Sequence, residues 1–273
     1  MTDVYQLADD LRAEQDALDA VVAGLAEGQW RLQTPSAGWT VADQIGHLTY
    51  YDGAAATAIE DPPAFKQSVV ELLSDPGRID DLTLHRHLSP SDLLDAWRAA
   101  RRRLARAATS LDEDRRVDWY GPSMGAKSFL TARLMECWAH GQDVVDAVGA
   151  TRRATDRLRH IAQLGFITRG WSYVNRGLER PAGDVRVELT GPAGDVWRFG
   201  VDDAIDVVRG PAEDFCLVVT QRRHVDDTAL EVTGPLARDW LAKAQAFAGP
   251  PTDGPAPGAR RASARLADRE GGR

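Results

Sequence analysis

Cysteine is nearly absent from this 273-residue chain, with only Cys137 and Cys216 present. Two isolated thiols make neither a disulfide framework nor a cysteine-based metal site. Lysine is almost as scarce: Lys66, Lys127 and Lys243 stand among 33 basic residues, and the rest are arginine. No apolar run approaches the ~20 residues of a membrane-spanning helix. The segment from Met1 to Leu25 is acidic and amphipathic, without the apolar stretch of a secretory signal, so a cytoplasmic location with no membrane partner is expected. Positive charge is also in deficit, with 33 basic against 41 acidic residues and a net charge of −8. With no basic patch interleaved with aromatics, nucleic acid is not an expected partner. What is present is a globular composition, 43% hydrophobic and 27% charged, and length for one large or two small domains.

The first two thirds reads as helices. Val4, Leu7, Leu11, Leu18, Val21, Val22 and Leu25 recur at helical spacing, and Gly28 stops the pattern. Thr40 can cap a second helix running to about Ile59, and Ser89 starts another that ends near Leu111. The loop Trp119 to Gly125 precedes a strongly apolar helix from about Lys127 to Val148, and a further helix is predicted from Thr155 to Asn175. Long amphipathic helices joined by loops predict a bundle. From Pro181 the pattern changes to alternation: Val185, Val187 and Leu189, then 196–199 and 205–208, predict strands separated by Gly-Pro and Ala-Gly turns. Helices near 212–220 and 235–247, with a short strand at 230–232, complete a small α+β domain. The stretch 249–273, rich in Gly, Pro, Ala and Arg, reads as a mobile tail.

One helix carries chemistry. Glu136 and His140 are four residues apart, on one helix face, with Cβ atoms about 5–6 Å apart, a spacing at which carboxylate and imidazole can share a metal ion. Such a pair is also often a surface pair or a satisfied core pair. The flanking Phe129, Leu130, Leu134, Val144 and Val145 argue for burial, where both groups need a partner. Asp143 can accept the free ring N–H of a ligand histidine. His47, in the second helix, is either a core histidine or, facing Glu136 and His140 across the bundle, the third member of a His2Glu set that leaves an open coordination position. Cys137 points about 100° off that face and reads as core. The run Arg101 to Arg103 reads as a solvated face and His85 and His87 as exposed.

Gly38-Trp39-Thr40 with Asp43 and Gly46-His47-Leu48, followed by Arg133-Leu134-Met135-Glu136 and Ala139-His140-Gly141-Gln142-Asp143, resembles the mycothiol-dependent maleylpyruvate isomerase family of the DinB-like metal-binding bundle superfamily. The resemblance implies an α+β protein in which a DinB-like bundle with a four-helix core, residues 1–180, precedes a small sterol-carrier-like α+β domain, 181–248, and the tail 249–273. It implies a divalent metal, usually zinc, on His47, Glu136 and His140, with Asp143 behind them. It further implies mycothiol as co-substrate, its thiol activated at the metal to isomerise or S-conjugate a small electrophile. Candidate substrate or thiol contacts are Tyr51, Trp119, Tyr120, Met124, Arg133 and Arg222. Each has a plainer reading as a packing residue, a surface ion pair or a solvated charge. A homodimer is the default oligomer.

The phrases Asp214-Phe215-Cys216, Gln221-Arg222-Arg223 and Ala246 to Pro251 resemble an actinobacterial subfamily whose C-terminal signature is associated with modified tRNA bases. Two other readings stay open. One is a metal enzyme of another type, activating water or oxygen. The other is a non-catalytic protein that binds a small molecule.

Overall fold

The computed structural model of the chain describes residues 3–260. The chain divides into two compact units that meet in sequence at Ala150 and Thr151.

In the first unit α1 (Val4–Val22) starts on the Asp3 carboxylate, which accepts from the Gln6 N–H, and buries Val4, Leu7, Leu11, Leu18 and Val22. After a 3-10 turn at Glu27–Arg31, α2 (Val41–Glu60) begins in a capping box in which Thr40 and Asp43 satisfy each other's backbone N–H. Helix α3 (Pro62–Ser74) is capped by Asp61; the short α4 (Ile79–Thr83) follows, and α5 (Pro90–Ala108) is capped by Ser89. The predicted loop before the apolar helix is closed by antiparallel strands β1 (Arg116–Val117) and β2 (Met124–Gly125). Helix α6 (Ala126–Val148) stops at Gly149, whose φ of +66° is the left-handed cap that glycine adopts without strain.

Helices α1, α2, α5 and α6 form the expected four-helix core, α2 packing on α5 and α6, and α1 on α6 and α5. Leu18, Trp30, Ile45, Leu48, Trp97, Cys137 and Val144 fill its centre, so Cys137 is a packing residue. Charge also links the helices, and here the arginine run departs from expectation. Arg101 pairs with Asp16 and Asp19 of α1 and lies 5.0 Å over the Trp97 ring, while Arg103 pairs with Glu60. Alternating burial along α5 turns this run partly inward. His87 is exposed as predicted, but His85 is only half-exposed, and burial lowers its pKa.

Gly46 marks the tightest approach in this unit. A Cβ there would lie 1.9 Å from the Leu84 carbonyl oxygen. Gly46→Ala is therefore expected to cost at least the upper part of the about 1–3 kcal/mol typical of overpacking. Urea unfolding checks this, and an unchanged midpoint would refute it.

In the second unit the predicted helix 155–175 is two: α7 (Leu158–Ile167) and α8 (Arg169–Val174). They break at Thr168, whose hydroxyl donates to the Leu164 carbonyl at 2.8 Å. The sheet contains β3 (Val185–Thr190), β4 (Val196–Phe199), β5 (Asp206–Pro211) and β6 (Glu231–Thr233) in the order β4-β3-β5-β6. β3 runs antiparallel to β4 and parallel to β5, and β6 is antiparallel to β5. Val185, Val187 and Leu189 point inward, and α9 (Ala212–Val219) and α10 (Pro235–Leu241) pack on the strands. Residues 249–260, assigned above to the tail, are tied to this unit: Arg176 pairs with Asp253 at 2.8 Å, Gln221 donates to the Thr252 carbonyl at 2.8 Å, and Asp227 accepts from the Gly258 N–H at 2.7 Å. The rest of the predicted tail, 261–273, lies outside the described residues. No helix among the described residues is long and apolar enough to cross a membrane.

Candidate metal centre

Helices α2 and α6 pack side by side, and their facing stripes bring His47, Glu136 and His140 together. One ligand atom from each lies within 4.8 Å of the others. His140 Nε2 is 3.1 Å and His47 Nε2 3.9 Å from Glu136 Oε2, and the two imidazole rings are 4.4 Å apart between centroids. The side chains keep 17%, 24% and 11% exposure for His47, Glu136 and His140, so solvent and small molecules can reach the cluster. Burial raises the Glu136 pKa, but the His140 hydrogen bond and the charges of His140, His47 and Arg133 outweigh it and hold the carboxyl at about 2.

The donor set fits a divalent cation. Two imidazole nitrogens and one carboxylate make the facial triad of open metal sites. His140 Nδ1 bonds Gln44 Oε1 at 2.6 Å, leaving Nε2 towards Glu136. The Nε2–H that hydrogen-bonds Glu136 at 3.1 Å occupies the place a divalent cation would take between the two groups.

Asp143, which the sequence offers as an acceptor for the ring N–H of a ligand histidine, is fully buried and accepts from the Ser36 hydroxyl at 3.0 Å, while Gln44, facing the His140 ring from α2, is the partner of its Nδ1.

Trp39 had no role in the sequence reading beyond its motif. Gly38, with φ +77°, turns the chain back so that Trp39 lies 5.2 Å from the His47 ring and stacks 5.9 Å from that of His140. A tryptophan just before a capped helix bearing a histidine was the available signal for it. Gln44, three residues before His47, offered a weaker one.

The other wall is aromatic. Tyr51 lies 4.5 Å from the His47 ring, with Tyr120 at 5.4 Å and Trp119 at 6.3 Å behind it, and Phe65 and Phe129 flank Trp119. Burial pushes the Tyr51 hydroxyl up to about 12 and raises that of Tyr120 as well, so both stay protonated near neutrality. Met124 is half-buried on β2, opposite Val117. Arg133 is not a surface ion pair. It is 3% exposed, bonds Asp52 at 2.9 Å, and lies 6.0 Å below both the Tyr51 and Trp119 rings. Arg222 belongs to the second unit, where it is buried and donates to the Thr220 carbonyl at 2.7 Å.

Comparison with known proteins bears on the family and the fold. Residues 11–145 match the family model of the mycothiol maleylpyruvate isomerase N-terminal domain, and residues 181–233 match that of wyosine base formation. The second match covers the segment for which a sterol-carrier-like domain was expected. Uncharacterized proteins of two Mycobacterium tuberculosis strains, CDC 1551 / Oshkosh and ATCC 25618 / H37Rv, are each 46% identical over 256 residues, spanning 93% of this chain and 100% of theirs. The crystal structure of the mycothiol-dependent maleylpyruvate isomerase superposes with a TM-score of 0.54 at 16% identity, covering 81% of this chain and 92% of that one. A histidine-to-alanine mutant of that enzyme gives 0.55 at 16%, covering 87% and 97%. At that identity the likeness is one of fold, mixed α+β with a mostly helical N-terminal part. By sequence match and fold together, the chain belongs to the mycothiol-dependent maleylpyruvate isomerase-like family.

Proposed function

We propose that the chain is a metal-dependent enzyme that uses a low-molecular-weight thiol, mycothiol in the first instance, to isomerise or S-conjugate a small electrophile. The observation that carries this reading is the convergence of His47, Glu136 and His140 from two helices within 4.8 Å, open to solvent on one side. These three residues would hold the ion, zinc suiting two imidazoles and a carboxylate. A divalent cation there supplies the charge that deprotonates a coordinated thiol, whose ordinary pKa is about 8.5.

The surrounding residues have separable tasks. Trp39 covers the two imidazoles, limiting the ring motions that would spoil ligand geometry. Tyr51, protonated near neutrality, is placed beside His47 to donate a hydrogen bond to a substrate oxygen. Trp119 and Tyr120 narrow the cleft behind it and exclude water. Arg133 is committed to Asp52 and contributes positive potential near Glu136 in place of a direct substrate contact. Addition of the thiol sulfur to an electrophilic carbon, followed by elimination, isomerises a cis-enedione-like substrate. With an epoxide or halide, displacement instead leaves the S-conjugate. Met124 and Arg222 remain candidate contacts of thiol or substrate.

Elemental analysis of native protein and of His47→Ala and His140→Ala, with mycothiol titrated by calorimetry, tests the reading. The expected result is about one metal per chain, lost in both variants and required for thiol binding. Metal without thiol binding would move the assignment to another metal-dependent reaction. Native protein without metal would overturn it in favour of a small-molecule-binding protein.

A further inference from the structure

Three hydrogen bonds connect a backbone carbonyl to His140, and their direction is not free. The Trp39 carbonyl oxygen can only accept, so Thr34 Oγ1, 2.8 Å away, donates to it. With its proton committed, Thr34 Oγ1 accepts from the Gln44 amide nitrogen at 2.9 Å. This sets the orientation of an amide whose oxygen and nitrogen are otherwise hard to tell apart. Gln44 Oε1 is thereby turned to His140 Nδ1 at 2.6 Å, where it accepts. The chain ends with a proton on Nδ1 and with Nε2 facing Glu136. Gln44 is 0% exposed, so water cannot replace its oxygen as acceptor.

We infer that Gln44, anchored through Thr34 on the Trp39 carbonyl, is a positioning residue that holds His140 in the tautomer whose Nε2 is free to bind a divalent cation. The inference rests on the metal-centre reading above. It also gives the turn 34–40 a second purpose. The segment that places the Trp39 ring over both histidines also supplies the carbonyl that sets the polarity of the chain. The turn is held by the Thr34 N–H to the same carbonyl at 2.8 Å and by the Val41 N–H to the Leu32 carbonyl at 3.0 Å, so the anchor itself is fixed.

The test compares the wild type with Gln44→Leu, Gln44→Glu and Thr34→Val. Zinc affinity is read by chelator competition, and the His140 ring by long-range proton–nitrogen NMR of the zinc-loaded protein. Gln44→Leu removes the acceptor and is expected to weaken zinc binding about 10–100-fold, the range for groups that orient metal ligands. Its His140 Nδ1–H signal, expected to exchange slowly in the wild type, should be lost. Gln44→Glu keeps an acceptor for Nδ1–H but loses the N–H given to Thr34 Oγ1, so it should keep the Nδ1–H signal and weaken zinc binding less than Gln44→Leu. Thr34→Val, which cuts the anchor but keeps the glutamine, should fall between them and serves if Gln44→Leu does not fold. Unchanged affinity and an unchanged Nδ1–H signal in Gln44→Leu, or in Thr34→Val if Gln44→Leu does not fold, would overturn the inference while leaving the metal centre standing. A wild type that binds no zinc would overturn both.

Discussion

The Asp52→Ala protein is expected to lose about 3–5 kcal/mol of unfolding free energy, the cost of removing one partner from a buried ion pair. Asp52 is 1% exposed and accepts from Arg133 Nη2 at 2.9 Å, Gln15 Nε2 at 2.9 Å and Trp97 Nε1 at 3.3 Å. These donors come from α6, α1 and α5, and Asp52 itself from α2. One carboxylate thus ties all four core helices together. Without it the Arg133 guanidinium, 3% exposed, stays in the bundle without its hydrogen-bonded counter-charge, and the amide and indole N–H groups lose their acceptor. Asp52→Asn keeps the shape and one acceptor oxygen, and should cost less. Chemical unfolding of metal-free protein measures both, and a loss under about 1 kcal/mol in Asp52→Ala would contradict the account.

Zinc is expected to stabilise the wild type and not Glu136→Gln. A ligand that binds only the folded state stabilises by mass action, about 2.7 kcal/mol at 100 times its Kd. Thermal melts with and without zinc should therefore separate for the wild type and coincide for the variant at the same zinc concentration. The loss should exceed the about 10–100-fold expected for an outer partner, since a charged ligand itself is removed. The substitution keeps the size of the side chain, so the metal-free melts serve as the folding control. The same carboxyl has an acid signature. Its pKa falls from an ordinary 4.5 to about 2 in the folded protein, so the stability it contributes is full above about 4.5 and is lost as pH drops towards 2. Metal-free wild type should show this loss and Glu136→Gln should not. Zinc-dependent melts that still separate in Glu136→Gln would remove Glu136 from the ligand set.

Much of the first unit was legible because its signals are local. Capping residues Thr40 and Ser89 start α2 and α5 where expected, and Gly149 ends α6. The spacing of Glu136 and His140 is a property of one helix, readable without knowing what lies opposite. His47 needed the resemblance, because nothing in its own helix says which way that face turns. Two partnerships are not legible for the same reason: Arg133 reads as a substrate contact or a surface ion pair, and the Nδ1 partner of His140 cannot be named, because spacing shows neighbours on one helix and not groups on another. Asp52 lies 81 residues from Arg133, and Gln44 lies 96 from His140. The break at Thr168 has no strong sequence signal because threonine is no strong helix breaker.

What the amino-acid order determined alone was most of the long helices and the strands of the second unit, the α+β class and the two-residue motif on α6, all consequences of periodicity, capping and turn chemistry acting over a few residues. The packing of α2 against α6 decided the rest: that three donor atoms converge, that Trp39 and Tyr51 flank them, and that His140 is presented through Gln44. Those outcomes depend on which helix faces meet, and burial of apolar stripes far apart in sequence settles that only once the whole bundle has formed.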